Sequence, residues 1–363
     1  MAQARHKLNV LDGLRGVSAF AWVLFHMDRR LFAHGYLAAN FFFMLSGFVM
    51  AMAYQRKLDG GEWSFRRFML HRASRLYPLY VLGLLFGLIF ALAQVGAGSS
   101  ARTPGQEVFS FIFGLAFLPT PSFLQGPTLM LFPLDIPLWS LFFEMMAYAA
   151  HSLLLRHSGT LYLQGALLCA AIFLITLAVV HHSTDLGVSW DTLAGGFART
   201  AFAYLAGLLV YRVWRQSRFV VRVPPLLLAA SFLILLAVPI KSVVYDLLVL
   251  LVVFPIMLLM GAYSQEKSWM TGACVGLGKM SYGVYVLHLP MLHLMDRTLA
   301  HLHGGSSPFA LGGMVLVVAF SARILDRYYH MPLCTYLRRQ LSRRQLIPHY
   351  PPLLFSAEVK KAQ

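Results

Sequence analysis

Charged residues are scarce in this 363-residue chain, where Asp, Glu, Lys and Arg together make up 12%, against roughly 25% in a typical soluble domain. The charge that is present is mostly of one sign, with 30 Lys and Arg against 14 Asp and Glu. A nucleic-acid-binding protein would concentrate such cations on a soluble face, whereas here they lie between apolar runs. Because 58% of the residues are hydrophobic, the composition indicates an all-α, polytopic membrane protein with no nucleic-acid partner.

Cysteine is also rare, and the three residues present, Cys169, Cys274 and Cys334, have none of the spacings that mark metal or redox sites. We therefore predict free thiols and no metal site. The basic N-terminus leads into an apolar segment that contains Arg15 and lacks a small-residue cleavage site, which predicts a retained first span and not a signal peptide.

Apolar runs dominate the sequence instead. A helix needs about 20 residues to cross the roughly 30 Å hydrocarbon layer, and ten runs approach that length. They fall near residues 9–27, 36–55, 76–97, 137–155, 161–180, 193–212, 224–240, 243–262, 273–295 and 308–326. An eleventh run, 107–124, is shorter and leads into a proline-rich stretch that stops regular helix.

The positions of Lys and Arg predict the topology. The connections near 56–75 and 212–222 are both rich in arginine, so both should be cytoplasmic. Since five apolar runs separate them, one run does not cross, and we predict that 107–124 re-enters or lies at the interface. This gives about ten spans in the inner (plasma) membrane, both termini in the cytoplasm, a membrane domain over 1–326 and a basic cytoplasmic tail over 327–363.

Ionisable residues interrupt the first span. Arg15 and His26 are eleven positions apart, which returns to within about 20° of the same helix face, about 16 Å along the axis. A guanidinium can hold a phosphate or carboxylate, and an imidazole can take a proton near neutral pH. The alternative is structural, with Arg15 paired to Asp12 at i, i+3 and His26 at the interface.

Four further segments carry candidate residues. "NFFFMLSGF" contains Ser46, which permits close helix approach or contributes to a site. "RASRLYPLY" contains Arg72 and Arg75, which could bind an anionic substrate or lipid headgroups. The third segment, "PLWSLFFEMMAY", and the fourth, "SYGVYVLHLP", add Trp139, Ser140, Glu144, Tyr282 and His288. A carboxylate within a span favours a site, while Tyr282 and His288 suit either an interhelical hydrogen bond or substrate binding.

In their order along the chain, these elements resemble acyltransferase family 3, the integral-membrane O-acyltransferases of the O-antigen O-acetylase type. The resemblance implies transfer of an acyl group, often acetyl, from cytoplasmic acyl-CoA to a hydroxyl of a carbohydrate or similar acceptor outside. The Arg and His pair of the family corresponds to Arg15 and His26, its arginine pair to Arg72 and Arg75, and its acidic residue to Glu144. The family often reads Glu-x-Pro near the last span, where this chain has His330.

The predicted mechanism places a general base at the outer end of the first span. Acyl-CoA is the donor substrate, with no permanently bound cofactor, and Arg15, Arg72 and Arg75 attract its phosphates. His26 is the predicted base that deprotonates the acceptor hydroxyl, and Glu144 orients its ring. Direct transfer and an acyl-histidine intermediate both remain open. The supporting or substrate-binding candidates are Asp12, Ser46, Trp139, Ser140, Tyr282 and His288.

Two rival hypotheses use the same residues. Intramembrane Arg and His also mark permeation paths, so a transporter of an anionic solute is one alternative. An unrelated acyltransferase architecture with the active histidine on a late helix would move the chemistry to His288. The sequence predicts contacts with membrane lipid, and it does not indicate which oligomeric state the protein adopts.

Overall fold

The computed structural model describes residues 8–125, 129–155, 158–216, 223–300, 308–344 and 346–347. In these ranges every regular element is helical, and extended pairing is limited to a single bridge between Met130 and Ser189. The α-helices are α1 Asn9–Met27, α2 Ala38–Asp59, α3 Phe65–Gly96, α4 Pro104–Leu115, α5 Leu138–Ala150, α6 Thr160–Val180, α7 Leu193–Gln216, α8 Pro225–Ala237, α9 Val243–Leu248, α10 Phe254–Tyr263, α11 Ser268–Ala300, α12 Pro308–Leu325 and α13 Met331–Arg343. Three π-helical turns, His151–Leu155, Val249–Val253 and Asp326–His330, extend α5 and join α9 to α10 and α12 to α13.

The predicted all-helical fold is confirmed, and each of the ten apolar runs falls on a helix or a pair of joined helices. Within the described residues, six helical segments are long and apolar enough to cross a membrane. They are Gly35–Gln55, Phe65–Gly96, Leu138–Leu155, Thr160–Val180, Trp190–Gln216 and Val243–Tyr263. The chain is therefore a membrane protein with several apolar spans, while the count of ten and the positions of the termini remain predictions.

The short apolar run at 107–124 is helical only over its first part. Helix α4 has 12 residues, or about 18 Å of helix, which is too short to cross the hydrocarbon layer. Its start is fixed by a reciprocal cap, in which the Thr103 hydroxyl accepts from the Gln106 N–H and the Gln106 side chain accepts from the Thr103 N–H. The irregular chain that follows packs back onto α3 at Gly87, where the Leu134 carbonyl leaves no room for a side chain.

Helices α1 and α11 pack closely because glycines line their contact. A Cβ added at Gly16 would lie 2.5 Å from the Leu277 Cβ, and one added at Gly278 would lie 2.7 Å from the Asp12 Cβ. Small residues let helix backbones approach in this way within a membrane. The close contact places the polar residues of α1 directly opposite those of α11.

A second close contact joins α2 and α7 and is reinforced by a buried arginine. Gly47 of α2 and Gly207 of α7 each face backbone atoms of the other helix. On α7, the fully buried Arg199 donates to the carbonyl oxygens of Leu186 at 2.7 Å and Tyr36 at 2.9 Å. These bonds satisfy its charge within the protein, so Arg199 ties α7 to the α1–α2 connection.

Helix α13 continues from α12 through the π-helical turn and folds against the membrane helices. The Cys334 thiol donates to the Arg75 carbonyl of α3 over 3.5 Å. The predicted tail thus begins within continuous helix, and its residues 348–363 lie outside the described part of the chain.

Candidate active site

A cavity of about 600 Å³ lies between α1, α2, α3, α5, α11 and α13. It brings together most of the predicted site residues, although they come from distant parts of the sequence. Those that line it are Asp12, Arg15, Ser46, Arg72, Arg75, Ser140, Glu144 and Tyr282. His26, Trp139 and His288 do not line it.

The cavity is strongly cationic. Eight Lys and Arg side chains line it, Arg15, Arg72, Arg75, Lys279, Arg323, Arg327, Arg338 and Arg339, against three carboxylates, Asp12, Glu144 and Asp326. Low-dielectric walls around charge of one sign concentrate the field and attract counter-charged ligands. The cavity is therefore suited to a ligand with several negative charges.

Arg15 is held at the contact between α1 and α11. Its Nε donates to the Ser281 hydroxyl at 2.9 Å, and its Nη2 donates to the Gly278 carbonyl oxygen. The Asp12 carboxylate lies 3.5 Å from the same guanidinium. The ion pair weighed as the structural alternative thus exists, and it fixes Arg15 in the cavity wall.

Glu144 belongs to a hydrogen-bonded chain across α2, α5 and α3. The Ser46 and Tyr148 hydroxyls both donate to its Oε1 atom, and the Arg72 Nη2 donates to the Tyr148 oxygen at 2.8 Å. The Arg72 guanidinium also lies 4.5 Å from the centre of the Tyr148 ring. Glu144 therefore supports Arg72 through Tyr148. It is not hydrogen-bonded to the ring of His26, which it was expected to orient.

Tyr148 is not among the site residues predicted from the sequence. It stands four residues after Glu144, the spacing that brings two side chains together on a helix. That spacing was the available signal.

His26 and His288 form a pair beside the cavity. The His26 Nδ1 lies 3.0 Å from the Trp22 carbonyl oxygen and 3.4 Å from the His288 Nε2. Because a carbonyl can only accept, Nδ1 carries the hydrogen and Nε2 keeps the lone pair of a base. By the same reasoning, the bond of 2.6 Å from His288 Nδ1 to the Tyr285 carbonyl leaves His288 Nε2 as an acceptor.

Tyr285 separates this histidine pair from the cavity. Its side chain lines the cavity, and its ring centre lies 6.1 Å from that of His288. The Tyr285 hydroxyl shares a hydrogen bond of 2.6 Å with Ser140 and donates to the Pro137 carbonyl oxygen at 3.0 Å. The two histidines thus lie next to a ring that lines the cavity, while neither histidine lines it.

Trp139 has a packing position. It is buried, and the Arg199 guanidinium lies 5.2 Å from its ring centre. This contact belongs to the α5–α7 interface, away from the cavity lining.

His330 lines the cavity at the position where the family often has glutamate. Burial lowers its pKa to about 4, and Arg75 and Arg338 act in the same direction. The ring is therefore neutral at pH 7. It adds no negative charge beside the arginines, as a carboxylate would.

Comparisons with known proteins agree with this architecture. The family model described as "Acyltransferase domain" matches residues 8–325. A Rhizobium radiobacter protein named "Protein 2 in picA locus" is 37% identical over 154 residues, which cover 39% of this chain and 80% of that protein.

A Staphylococcus aureus (strain COL) protein named "Putative O-acetyltransferase" is 26% identical over 76 residues, which cover 21% of this chain and 13% of that protein. A second such protein, from strain MSSA476, matches to the same extent. No solved structure matches the chain. Because the family model spans nearly all of the chain, this protein belongs to acyltransferase family 3, a family of membrane acyltransferases.

Proposed function

We propose that this protein is an inner-membrane O-acyltransferase that moves an acyl group, by preference acetyl, from acyl-CoA to a hydroxyl of a carbohydrate or similar acceptor. The donor enters from the cytoplasm, and the acceptor is modified at the outer side. The observation that carries the proposal is the excess of eight Lys and Arg over three carboxylates in a cavity that ends beside a histidine pair. CoA carries a diphosphate and a 3′-phosphate, and such groups bind arginine by charge-assisted hydrogen bonds.

The donor lies with its thioester at the part of the cavity that Tyr285 lines. Arg15, Arg72 and Arg75 are the cations that the first and third helices supply to its walls. Their positive charge favours the phosphorylated donor over a neutral thioester. The bonds from Arg15 to α11 and from Arg72 to Tyr148 hold both guanidinium groups in place before the donor arrives.

His26 is the general base of the proposed reaction. Its Nε2 takes the proton of the acceptor hydroxyl as the oxygen attacks the thioester carbonyl carbon, and the carbon–sulfur bond then breaks. The CoA thiolate leaves and takes up the proton. The Trp22 carbonyl keeps Nδ1 protonated and stabilises the imidazolium that forms, the task that a carboxylate has in a Ser-His-Asp triad.

Two features of the path remain part of the proposal. The Tyr285 ring must move for the thioester to reach His26, because Tyr285 lines the cavity beside the histidine pair and neither histidine does. Direct transfer and an acyl-histidine intermediate use the same Nε2, so both are compatible with this tautomer.

The test combines a gene deletion with purified protein. Mass spectrometry of surface glycans should show acyl groups in cells that carry the gene and lose them in the deletion strain. Wild-type protein should restore them, and a His26→Ala variant that accumulates in the membrane should not. Purified protein in vesicles should release more than one equivalent of CoA from acetyl-CoA only when the acceptor glycan is added. Acylation that is identical with and without the gene would refute the proposal.

A further inference from the structure

One face of α13 forms a wall of the cavity. The side chains that line it recur at three- and four-residue intervals, as expected for one side of a helix. They are Met331, Cys334, Thr335, Arg338 and Ser342, with Arg339 at the edge. The bond from Cys334 to the Arg75 carbonyl anchors this face to α3. Helix α13, which lies within the predicted tail, therefore contributes to the cavity wall.

The wall is positive along its length. Helix α13 contains no Asp or Glu, and His330 just before it is neutral at pH 7 because its pKa is about 4. Arg338 is half-buried and Arg339 is exposed. Since Arg339 both lines the cavity and reaches solvent, the cavity opens at this helix.

The direction in which the donor lies follows from the proposed function, on which this inference rests. The acyl group must reach the part of the cavity lined by Tyr285, beside the histidine pair, so the other end of the donor lies toward the exposed Arg339. In an acyl-CoA that other end is the nucleotide with its phosphates. The phosphates therefore lie next to α13.

We propose that α13 is the phosphate-binding wall of the donor site, with Arg338 and Arg339 contacting the phosphates of a 3′-phosphorylated nucleotide. A guanidinium can donate two parallel hydrogen bonds to a phosphate. Arg15 and Arg72, held by Ser281 and Tyr148, then contribute to the positive potential that attracts the phosphates, without contacting them directly.

The same chemistry could be supplied by the phosphates of lipid headgroups, because basic helices also bind anionic membranes. Arg343 and Arg344 are exposed, belong to the same end of α13 and do not line the cavity. They form a matched control pair, because they carry the same charge as Arg338 and Arg339 but lie outside the cavity lining. A headgroup contact would depend on either pair, whereas a donor contact depends on Arg338 and Arg339.

The experiment measures binding of CoA, dephospho-CoA and phosphate-free pantetheine to purified protein in vesicles with and without anionic lipid. For Arg338→Gln/Arg339→Gln, we expect the Kd for CoA to rise about 10-fold or more, as for loss of hydrogen bonds to charged groups. Binding of pantetheine should not change. Arg343→Gln/Arg344→Gln should bind CoA like wild type.

Three results would overturn the inference. The first is that the Arg338/Arg339 variant binds CoA as tightly as wild type. The second is that this variant loses affinity for pantetheine as much as for CoA. The third is that the Arg343/Arg344 variant loses as much CoA affinity, and only in vesicles with anionic lipid. If the double variant does not fold by its melting profile, Arg339→Gln alone provides the test, because that side chain is exposed. This variant should bind CoA more weakly than wild type, and an unchanged affinity would refute phosphate binding by α13.

Failure of the proposed function would look different. Wild-type protein that binds CoA through Arg338 and Arg339 but transfers no acyl group would refute the proposed acyltransferase activity and support phosphate binding by α13. If the wild-type protein transfers acyl groups and the Arg338/Arg339 variant binds CoA as tightly as wild type, only the phosphate-binding role of α13 is refuted. Wild-type protein that neither binds CoA nor transfers an acyl group would refute both.

Discussion

His26 and His288, the histidine pair beside the cavity, should contribute unequally to acyl transfer. His26→Ala removes the Nε2 lone pair that the proposed reaction uses as its base. General-base catalysis typically contributes about 10²- to 10⁴-fold, so we expect kcat/KM to fall by that factor. CoA binding should be little changed, because His26 does not line the cavity.

His288→Ala should cost much less. His288 contacts the His26 Nδ1 at 3.4 Å, while the Trp22 carbonyl contacts the same nitrogen at 3.0 Å and fixes the tautomer without help. A neutral hydrogen bond contributes about 0.5 to 1.5 kcal/mol, which corresponds to about a 2- to 10-fold loss of rate. The order of effects therefore follows from the two distances.

The assay is acyl transfer in proteoliposomes at saturating and limiting acetyl-CoA, with mass spectrometry of the acceptor. His181→Ala is the control, because this histidine is exposed at the end of α6. A variant is scored only if it accumulates and elutes as wild type does. If His288→Ala lost as much activity as His26→Ala or more, the assignment of the base to His26 would be wrong.

Three further perturbations test the packing, the polar chain and the pH response. Gly16→Ala should lower stability by about 1 to 3 kcal/mol through overpacking, since the new Cβ would lie 2.5 Å from the Leu277 side chain; thermal unfolding in detergent measures it. Tyr148→Phe removes one hydrogen-bond acceptor of Arg72, so the KM for acyl-CoA should rise about 10-fold with a smaller change in kcat. His330 has a pKa of about 4 in the native state against 6.5 when exposed, so the native state binds fewer protons and stability should fall as pH decreases from 6.5 to 4. That contribution is at most about 3 kcal/mol, and His330→Gln should flatten the dependence.

Each of these has a control or a contradicting result. Gly165 on α6 has open space at its Cβ position, so Gly165→Ala should be neutral or stabilising by up to about 1 kcal/mol. Tyr245→Phe removes a hydroxyl that donates to the Leu235 carbonyl oxygen, outside the cavity lining, and should leave KM unchanged. Superimposable curves of stability against pH for wild type and His330→Gln would show that His330 does not contribute to the loss of stability at low pH.

Much of the fold was predictable because apolar runs of helical length leave few alternatives in a membrane. Each predicted run falls on a helix or a pair of joined helices, but the bounds differ in places, since α3 begins at Phe65 where the apolar run begins at 76, and α4 covers Pro104–Leu115 where the run was 107–124. The number of membrane-spanning segments was less predictable. Helices α1 and α11 are not among the six described segments that are long and apolar enough to cross a membrane, and they carry Arg15, His26, Lys279 and His288, whose polarity offsets the apolar residues around them.

The site was predictable in its residues but not in its boundaries. Helix periodicity places Arg15 and His26 on one face, yet it does not tell which side chain of another helix lies between them. Here that side chain is Tyr285, which stands three residues before His288. The contribution of α13 was also missed, because a basic segment after the last apolar run has the same composition whether it is solvated or folded against the protein.

The contact between α1 and α11 determines the relation between both ends of the site. The same two helices hold Arg15 against Ser281 in the cavity and His26 against His288 beyond it. Their distance apart is set by glycines that leave no room for a Cβ. A shift of α1 along α11 would therefore move the donor-binding cation and the base together, and would leave the cations of α3 and α13 behind. For this reason a small change in packing at Gly16 should weaken donor binding and lower the rate in one step.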